Sequence, residues 1–256
     1  MKFLIPFIIL LTGCTSIKTS PSIIQPPILQ RSPLEKQLLT LPEPAAPKLT
    51  IAVYSFQDKT GQRKTADQYA SFSSAVTQGG ESWLIDALRQ AGNGKWFLVL
   101  ERANLDNIVK ERQLINQTRE SFKDTEKLMP MLFAGIIAEG GIIGYDSNIL
   151  TGGAGASLLG ISGTTQYRKD VVTVSIRLVS VQTGEIMLSV ATTKTIISVA
   201  ANGNLFKFYE HGTTPAEAEL GFTANEPNTI AVRSAIEQAV IEIIKEGQRA
   251  GLWQYK

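Results

Sequence analysis

The chain has 256 residues, and its 25 Lys and Arg nearly balance its 23 Asp and Glu, giving a formal net charge of +2. Because charged residues make up only 19% of the chain, it lacks the basic field that binds nucleic acid. With 21 glycines and 43% hydrophobic residues, the composition excludes both a disordered chain and a helical membrane protein.

The N-terminus carries the pattern of a lipoprotein signal. Lys2 precedes an apolar run, residues 3–11, which is too short to span a membrane and is typical of a secretory signal peptide. Cys14 follows where a bacterial lipobox places the thiol that receives diacylglycerol, and it is the only cysteine. We predict a signal peptide over 1–13 and lipidation of Cys14, and Thr15 in place of Asp indicates sorting to the outer membrane. The alternative is an ordinary signal peptide with a chance cysteine.

Residues 14–47 are rich in Pro, Ser and Gln and cannot form a core of their own. We interpret them as an extended tether between the lipid and a folded domain. Four leucines near the end of the tether are interpreted as contacts with a neighbouring subunit: Leu34, Leu38, Leu39 and Leu41.

Residues 48–146 have the pattern of an α/β domain. The predicted elements are strands at 48–57, 95–101 and 134–145, helices at 80–90 and 104–117, and a short helical turn within 124–131. The three tryptophans are expected in the core or in contacts between subunits: Trp83, Trp96 and Trp253. The polar loop 58–76 is longer than ordinary connections, which indicates a function.

Strand alternation dominates residues 140–225, over a length that a small water-soluble sheet does not need. We interpret 147–170 and 194–224 as transmembrane β-hairpins. A periplasmic β-hairpin at 171–193 lies between them, and the C-terminal helix of the domain follows within 225–256.

The second transmembrane hairpin has the clearest pattern. In residues 216–223, Ala, Ala, Leu and Phe alternate with Glu217, Glu219, Gly and Thr, as expected for a strand between lipid and water. Glu217 and Glu219 are therefore predicted to line a lumen. The preceding strand is interpreted as 197–208 with a bulge near Gly203, and the tip of the hairpin as 211–215.

Two hairpins supply four strands, which cannot close a barrel within one chain. An open sheet edge in hydrocarbon costs several kcal/mol for each unpaired backbone group. The predicted fold class is therefore α+β, with a mixed sheet and flanking helices in the α/β domain. Its two transmembrane hairpins contribute four strands to an oligomeric β-barrel of identical subunits. The alternative is a long β-meander that lies in water.

Other chemistry has little support in the sequence. Gly152-Gly153-Ala154-Gly155 lacks the Lys-Ser/Thr pair and the helix of a phosphate loop. His211 is the only histidine, which excludes a His cluster for zinc and a Ser-His-Asp arrangement. We predict no enzyme activity, no metal and no cofactor apart from the lipid on Cys14.

Short motifs occur in order along almost the whole mature chain. They are Ile51-Ala52-Val53-Tyr54, Phe72-Ser73, Trp96-Phe97, Leu100-Glu101-Arg102, Ile142-Ile143-Gly144-Tyr145, Thr183-Gly184-Glu185-Ile186, Asn225-Glu226-Pro227 and Gly251-Leu252-Trp253. Together with the lipobox, they resemble the curli secretion channel lipoproteins, the CsgG family.

The resemblance implies a nonameric outer-membrane pore with four strands per subunit and a periplasmic α/β ring. Unfolded curli subunits, which build an amyloid fibre, are expected to pass through it without nucleotide hydrolysis. The implied partners are a periplasmic accessory protein that caps the channel and an extracellular curli assembly factor.

The resemblance also places the constriction in the loop after the first strand, where the family has a Tyr and then an Asn next to a Phe. Here Phe72 matches the Phe, Ser71 stands at the Asn position and Asp67 at the Tyr position. Tyr69 is the alternative to Asp67 at the Tyr position, so the sequence does not decide the width and the charge of the constriction.

The sequence thus favours a passive protein-conducting channel anchored in the outer membrane, with its main domain in the periplasm. The alternative is an outer-membrane-anchored periplasmic lipoprotein that acts as a binding or assembly module of the cell envelope.

Overall fold

The structure is a computed structural model that describes residues 34–62, 76–151, 166–201, 205–210, 220–221 and 227–256. All of them belong to one unit, Arg31–Lys256. The helices of the described residues are α1 (Glu35–Leu39), α2 (Gly80–Gly94), α3 (Leu105–Ser121) and α4 (Pro227–Arg249). Their strands are β1 (Leu49–Asp58), β2 (Phe97–Glu101), β3 (Ile136–Thr151), β4 (Gln166–Ser180), β5 (Ile186–Ala201), β6 (Leu205–Glu210) and β7 (Leu220–Gly221).

The strands form one mixed sheet in the order β2-β1-β3-β4-β5-β6-β7. β1 pairs in parallel with β2 and β3, and every later pair is antiparallel. Parallel neighbours need a crossover connection, and α2 and α3 lie in the two crossovers that join β1, β2 and β3. The predicted mixed sheet with flanking helices is confirmed.

One face of the sheet packs against α2 and α4. Strict alternation along β4 places four of its apolar residues under α4, and all four are fully buried: Val172, Val174, Ile176 and Leu178. The predicted apolar face of α4 is buried against them, including Ile236, Ala239, Val240 and Ile244. Full burial of one such large aliphatic side chain stabilises a fold by about 1.5–3 kcal/mol.

The other face of β3, β4 and β5 carries polar pairs. Arg177 donates to the Glu139 carboxylate at 2.9 Å, and the hydroxyls of Thr173 and Thr193 are 2.9 Å apart. These cross-strand pairs are exposed, as is usual for an antiparallel sheet with one face in water.

The end of the predicted tether docks on its own domain. Leu38 of α1 is fully buried in the core of this chain, so the interpretation of that leucine as a contact with a neighbouring subunit is wrong. The backbone N–H of Ala45 donates to the Gln254 carbonyl at 2.8 Å, and the N–H of Lys256 donates to the Glu43 carbonyl at 2.9 Å. Residues 34–47 and the C-terminus are therefore joined into one clamp.

An aromatic cluster fills this clamp. The ring centroid of Trp96 lies 5.8 Å from those of Trp253 and Tyr255, both in edge-to-face geometry. The indole N–H of Trp96 donates to the Pro42 carbonyl at 2.7 Å, and that of Trp253 to the Ile244 carbonyl at 2.8 Å. Trp96 and Trp253 are thus core residues, and Trp83 is partly buried against the same core.

Charge reinforces the clamp at its surface. Lys95 and Lys256 both bind the Glu43 carboxylate. The hydrogen bond from Lys95 holds the pKa of the Glu43 carboxyl below its ordinary value, and Lys256 lowers this pKa further. Because the folded-state pKa is depressed, the stabilisation is present at neutral pH and is lost as the pH falls through that pKa.

The segment after α3 differs from its prediction, because residues 124–131 form no helix. Asp124 binds the N–H of Glu126 at 2.9 Å, and arginines of α3 bind the carbonyls of Glu126 and Met129. These carbonyls therefore accept hydrogen bonds from arginine side chains and not from the backbone N–H groups of a helix. α3 itself lies where periodicity predicts it, but none of its residues is buried.

The second hairpin also differs. A continuous strand over 197–208 with a bulge near Gly203 is wrong, because β5 and β6 are antiparallel neighbours in which Ala201 pairs with Leu205. The chain therefore reverses between these two residues. Asn202-Gly203 is a strong hairpin signal in the sequence, and it outweighs the alternation that suggested a continuous strand.

The clamp allows a direct test of packing. An ideal Cβ built on Gly247 would lie 1.9 Å from Cζ2 of Trp253, so Gly247→Ala must displace the indole. We expect the free energy of unfolding to fall by about 1–3 kcal/mol, measured by urea unfolding followed by tryptophan fluorescence. Gly79→Ala is the control, since the nearest atom to its Cβ is 3.6 Å away. An equal loss in both variants would contradict this packing.

Candidate functional site

The predicted site residues all lie outside the described residues: Cys14, Asp67, Tyr69, Ser71, Phe72, Glu217 and Glu219. Their roles stay predictions. The structure describes the elements that lead to them, namely both ends of the loop 58–76 and the strands of the two hairpins.

Three strands are much longer than the helix-covered core requires. β3 and β5 have 16 residues and β4 has 15, whereas strands in globular proteins usually have about 5–6. β3 and β4 stay paired from Ile136 and Ser180 to Thr151 and Gln166. The two arms of the first predicted hairpin are therefore direct continuations of the sheet of the domain.

The register connects all five distal strands. One row runs through Asn148, Lys169, Ile197, Tyr209 and Leu220, and the next row through Ile149, Arg168, Ser198, Phe208 and Gly221. Neighbouring rows belong to opposite faces of a sheet. Leu220 thus shares a row with Ile197 and Tyr209, and Gly221 shares one with Arg168 and Ser198. Each row contains both apolar and polar residues, so the division into a lipid face and a water face stays a prediction.

The outer edge of this distal sheet is open. β1 pairs with β3 only as far as Asp58 and Ile142, and residues 143–151 of β3 have no partner on that side among the described residues. At the opposite edge, β7 is the last described strand. Among the described residues, the distal sheet of a single chain therefore has one unpartnered edge at β3 and another at β7.

A β-bulge marks the level at which the core ends. The β3–β4 register shifts between Ile142 and Gly144, and the shift turns Tyr145 towards the buried side. The Tyr145 hydroxyl donates to the Asp170 carboxylate at 3.3 Å, and Asp170 is fully buried. This pair lies at the boundary between the core and the first hairpin.

Sequence reasoning missed the burial of Asp170, which it placed at the end of the first predicted hairpin, 147–170. The signal was present, since Asp170 has the same parity as Val172 and Val174, which line the core. Extending the alternation of Val174 and Val172 to the next residue of the same parity would have predicted that the Asp170 carboxylate faces the core.

The loop 58–76 begins at the same level. The Asp58 carboxylate accepts from the N–H of Thr60 at 2.9 Å and from the Thr60 hydroxyl at 2.7 Å. Its second oxygen accepts from the Gln78 side-chain amide at 3.4 Å, which joins the two ends of the loop. The N–H of Lys59 donates to the Ile142 carbonyl at 2.9 Å. Both ends are thus fixed beside the bulge.

The described ranges contain no group of three His, Cys, Asp or Glu side chains that could hold a metal ion. Of the helices in the same ranges, none combines the length and apolar character needed to cross a membrane.

Fold and site together define a class of protein: a mixed α/β domain whose antiparallel strands extend beyond the helix-covered core as an open-edged sheet. A family model described as curli production assembly/transport component CsgG matches residues 34–256. The chain belongs to this family.

Relatives of that name support the assignment. The chain is 38% identical over 255 residues to the curli production assembly/transport component CsgG of Escherichia coli K12, covering 98% of this chain and 90% of that protein. It is 38% identical over 250 residues to the protein of the same name from Salmonella typhimurium LT2, covering 96% and 88%.

Among solved structures, the PelC dodecamer of Paraburkholderia phytofirmans matches 80% of this chain and 92% of its own, at 14% identity and a TM-score of 0.31. A similarity this low supports no conclusion about the present chain.

The ends of the loop provide a prediction. We expect Asp58→Ala to lower the free energy of unfolding by about 1–3 kcal/mol, because it removes the acceptor that joins both ends of the loop. It should also speed proteolytic cleavage within 60–76, measured by mass spectrometry after limited digestion. Asp58→Asn is the control, since it keeps one carbonyl oxygen as acceptor. Cleavage at the wild-type rate in Asp58→Ala would refute the role of Asp58.

Proposed function

We propose that the chain is an outer-membrane lipoprotein that assembles into a ring and conducts unfolded curli subunits from the periplasm to the cell surface. The observation that carries the proposal is the distal sheet, in which three long strands continue past the core and end in open edges. The names of the relatives, curli production assembly/transport components, supply the expected substrate.

Hydrocarbon explains why such a sheet would need neighbours. Each unpaired backbone group in the bilayer core costs several kcal/mol, so a spanning sheet must close on itself. The open edge of β3 in one chain and the β7 side of the next are the two edges that a ring can join. Ring closure would then pair every edge strand with an edge strand of a neighbouring copy of the chain. The closed barrel would enclose a water-filled interior.

The constriction is proposed to lie just below this barrel. Because both ends of the loop 58–76 are fixed beside the bulge of β3, the loop starts where the core gives way to the hairpins. Repetition around a ring turns each Phe72 into an annulus of aromatic side chains. Such an annulus makes no fixed hydrogen-bond demand and suits the passage of many unfolded sequences.

The charge next to the annulus of Phe72 side chains depends on which other residue of the loop lines the constriction. Ser71 adjoins Phe72 in sequence, and either Asp67 or Tyr69 is proposed to join them at the constriction. A ring of Asp67 carboxylates would favour cations, as acidic rings do in other pores. Glu217 and Glu219 would add carboxylates higher in the lumen.

Attachment is proposed to occur through Cys14. Its lipid would hold the chain at the inner leaflet of the outer membrane, and the tether would run to Leu34, where the docked segment begins. A diacylglycerol carries two acyl chains, which suffice for stable anchoring, and the hairpins would add a second attachment to the membrane. We further propose that transport uses no nucleotide, and that a periplasmic accessory protein and an extracellular assembly factor act with the ring.

Phe72 provides the functional test. We expect Phe72→Ala to widen the pore, raising single-channel conductance in planar bilayers and impairing export of curli subunits. Abundance and ring assembly should not change, because a side chain that lines a pore makes no core contacts. Phe72→Leu is the control, since it keeps most of the apolar bulk and should conduct nearly as the wild type does. Degradation of Phe72→Ala, with surviving pores of wild-type conductance, would exclude Phe72 from the constriction.

Leu220 tests the membrane position of the second hairpin. We expect Leu220→Lys to block insertion, because a lysine on the lipid face near the midplane costs about 2–4 kcal/mol. Replacing both Glu217 and Glu219 with Gln should instead preserve insertion and reduce cation selectivity. Extraction of membranes with carbonate and with detergent distinguishes inserted from peripheral protein. If Leu220→Lys inserts normally and the Gln variant does not, the two faces are inverted.

A further inference from the structure

An exposed arm projects from the domain between β2 and β3. It consists of α3 and the return segment 122–134, and no residue of α3 is buried. Five large apolar residues of the arm are more than half exposed: Leu114, Phe122, Met129, Leu132 and Phe133. Phe122 is 81% exposed and Phe133 is 89% exposed, which is unusual for phenylalanine. Apolar surface of this kind marks a binding site for another molecule.

Arginine side chains hold the arm in this shape. Arg119 donates to the Glu126 carbonyl at 2.8 Å, and Arg112 donates to the Met129 carbonyl at 2.7 Å. Arg102, next to β2, donates to the Leu132 carbonyl at 2.6 Å. The return segment is therefore fixed against α3 with its apolar side chains still exposed.

Lipid is an unsuitable partner for the arm. The arm is followed by Gly135, whose N–H donates to the Thr50 carbonyl at 3.0 Å at the start of β1, away from the hairpins. From Ile136 to Ser147 the strand covers about 35 Å at roughly 3.3 Å per residue, so Phe133 lies far from the membrane level. The arm also carries five basic and five acidic residues between 105 and 134, which gives it no attraction for an anionic surface.

The sheet order points to a second copy of this chain. The arm follows β2, which is the edge strand, and the open edge of β3 at 143–151 faces the same β1–β2 side. A neighbour that pairs with that open edge therefore lies on the same side of the sheet as the arm. We propose that the arm binds the next subunit of the ring and buries Phe122 and Phe133 against it, an inference that rests on the proposed function.

Such a contact is heterologous, because the arm of one subunit meets a different surface of the next. Heterologous contacts close into rings when the rotation between subunits permits. The arm would then join the subunits at the periplasmic end, while the strands join them in the membrane. Two separated contacts on one side would also fix the angle between neighbours.

Photocrosslinking identifies the occupant. Phe133 is replaced with p-benzoyl-phenylalanine in the full-length protein, and the membranes are irradiated. We expect a covalent dimer of the chain, seen as a band of doubled mass in denaturing gels. The same probe at Gln248, an exposed residue beyond the arm, is the control and should give little dimer. Crosslinks from position 133 to a different protein or to lipid would overturn the proposal.

A double variant measures how much the contact between the arm and the next subunit contributes to assembly of the ring. We expect Phe122→Ser with Phe133→Ser to raise the protein concentration needed for assembly in detergent by at least about tenfold, because two apolar side chains lose their burial. Folding should be unchanged, since both side chains are exposed in the single chain. Lys127→Ser in the same segment is the control and should assemble as the wild type does.

The outcomes separate this inference from the proposed function. If the wild type forms conducting rings, while the double variant assembles equally well and position 133 gives no dimer, the arm has no role in assembly and the channel proposal stands. If the wild type forms neither rings nor pores, the channel proposal and the arm contact both fail.

Discussion

The backbone edge of β3 beyond Ile142 is the constraint on which the account depends. On one side, β3 is paired with β4 along its whole length, whereas on the other side β1 ends at Asp58. Along residues 143–151, the backbone donors and acceptors that point away from β4 thus have no partner among the described residues. In water such an edge invites aggregation, and in hydrocarbon it costs several kcal/mol for each group. The length of the strands agrees with closure by identical neighbours.

The junction below this edge is built to stay rigid. The bulge at Ile142 to Gly144 turns Tyr145 inward to Asp170, and the ends of the long loop are fixed beside it by Asp58. A loop whose ends are held by a buried sheet can place its middle residues reproducibly. The clamp of Trp96, Trp253 and Tyr255 fixes both ends of the domain at the same time, so the tether begins from a defined point.

Local patterns predicted most of the domain. The apolar period of α4 and the alternation of β4 come from single faces packed on one core, so spacing alone reveals them. Leu38 was misassigned because its burial comes from a long-range contact with α2. The proline-rich local sequence gives no sign of such a contact. The reversal between Ala201 and Leu205 was missed because alternation was given more weight than the Asn202-Gly203 turn signal. The predicted site residues lie outside the described residues, and the resemblance to the family remains the basis for their roles.

The central claim is that the outer edge of β3 is paired with a second copy of the chain, and amide hydrogen exchange tests it directly. Exchange is measured at residues 143–151 in the detergent-extracted particle and in dissociated single chains, after the mass of the particle has been determined. Pairing between copies predicts a particle of several subunits in which the outward amides of this edge exchange slowly, and single chains in which they exchange fast. A particle with the mass of one chain, or equally fast exchange at this edge in both samples, would contradict it.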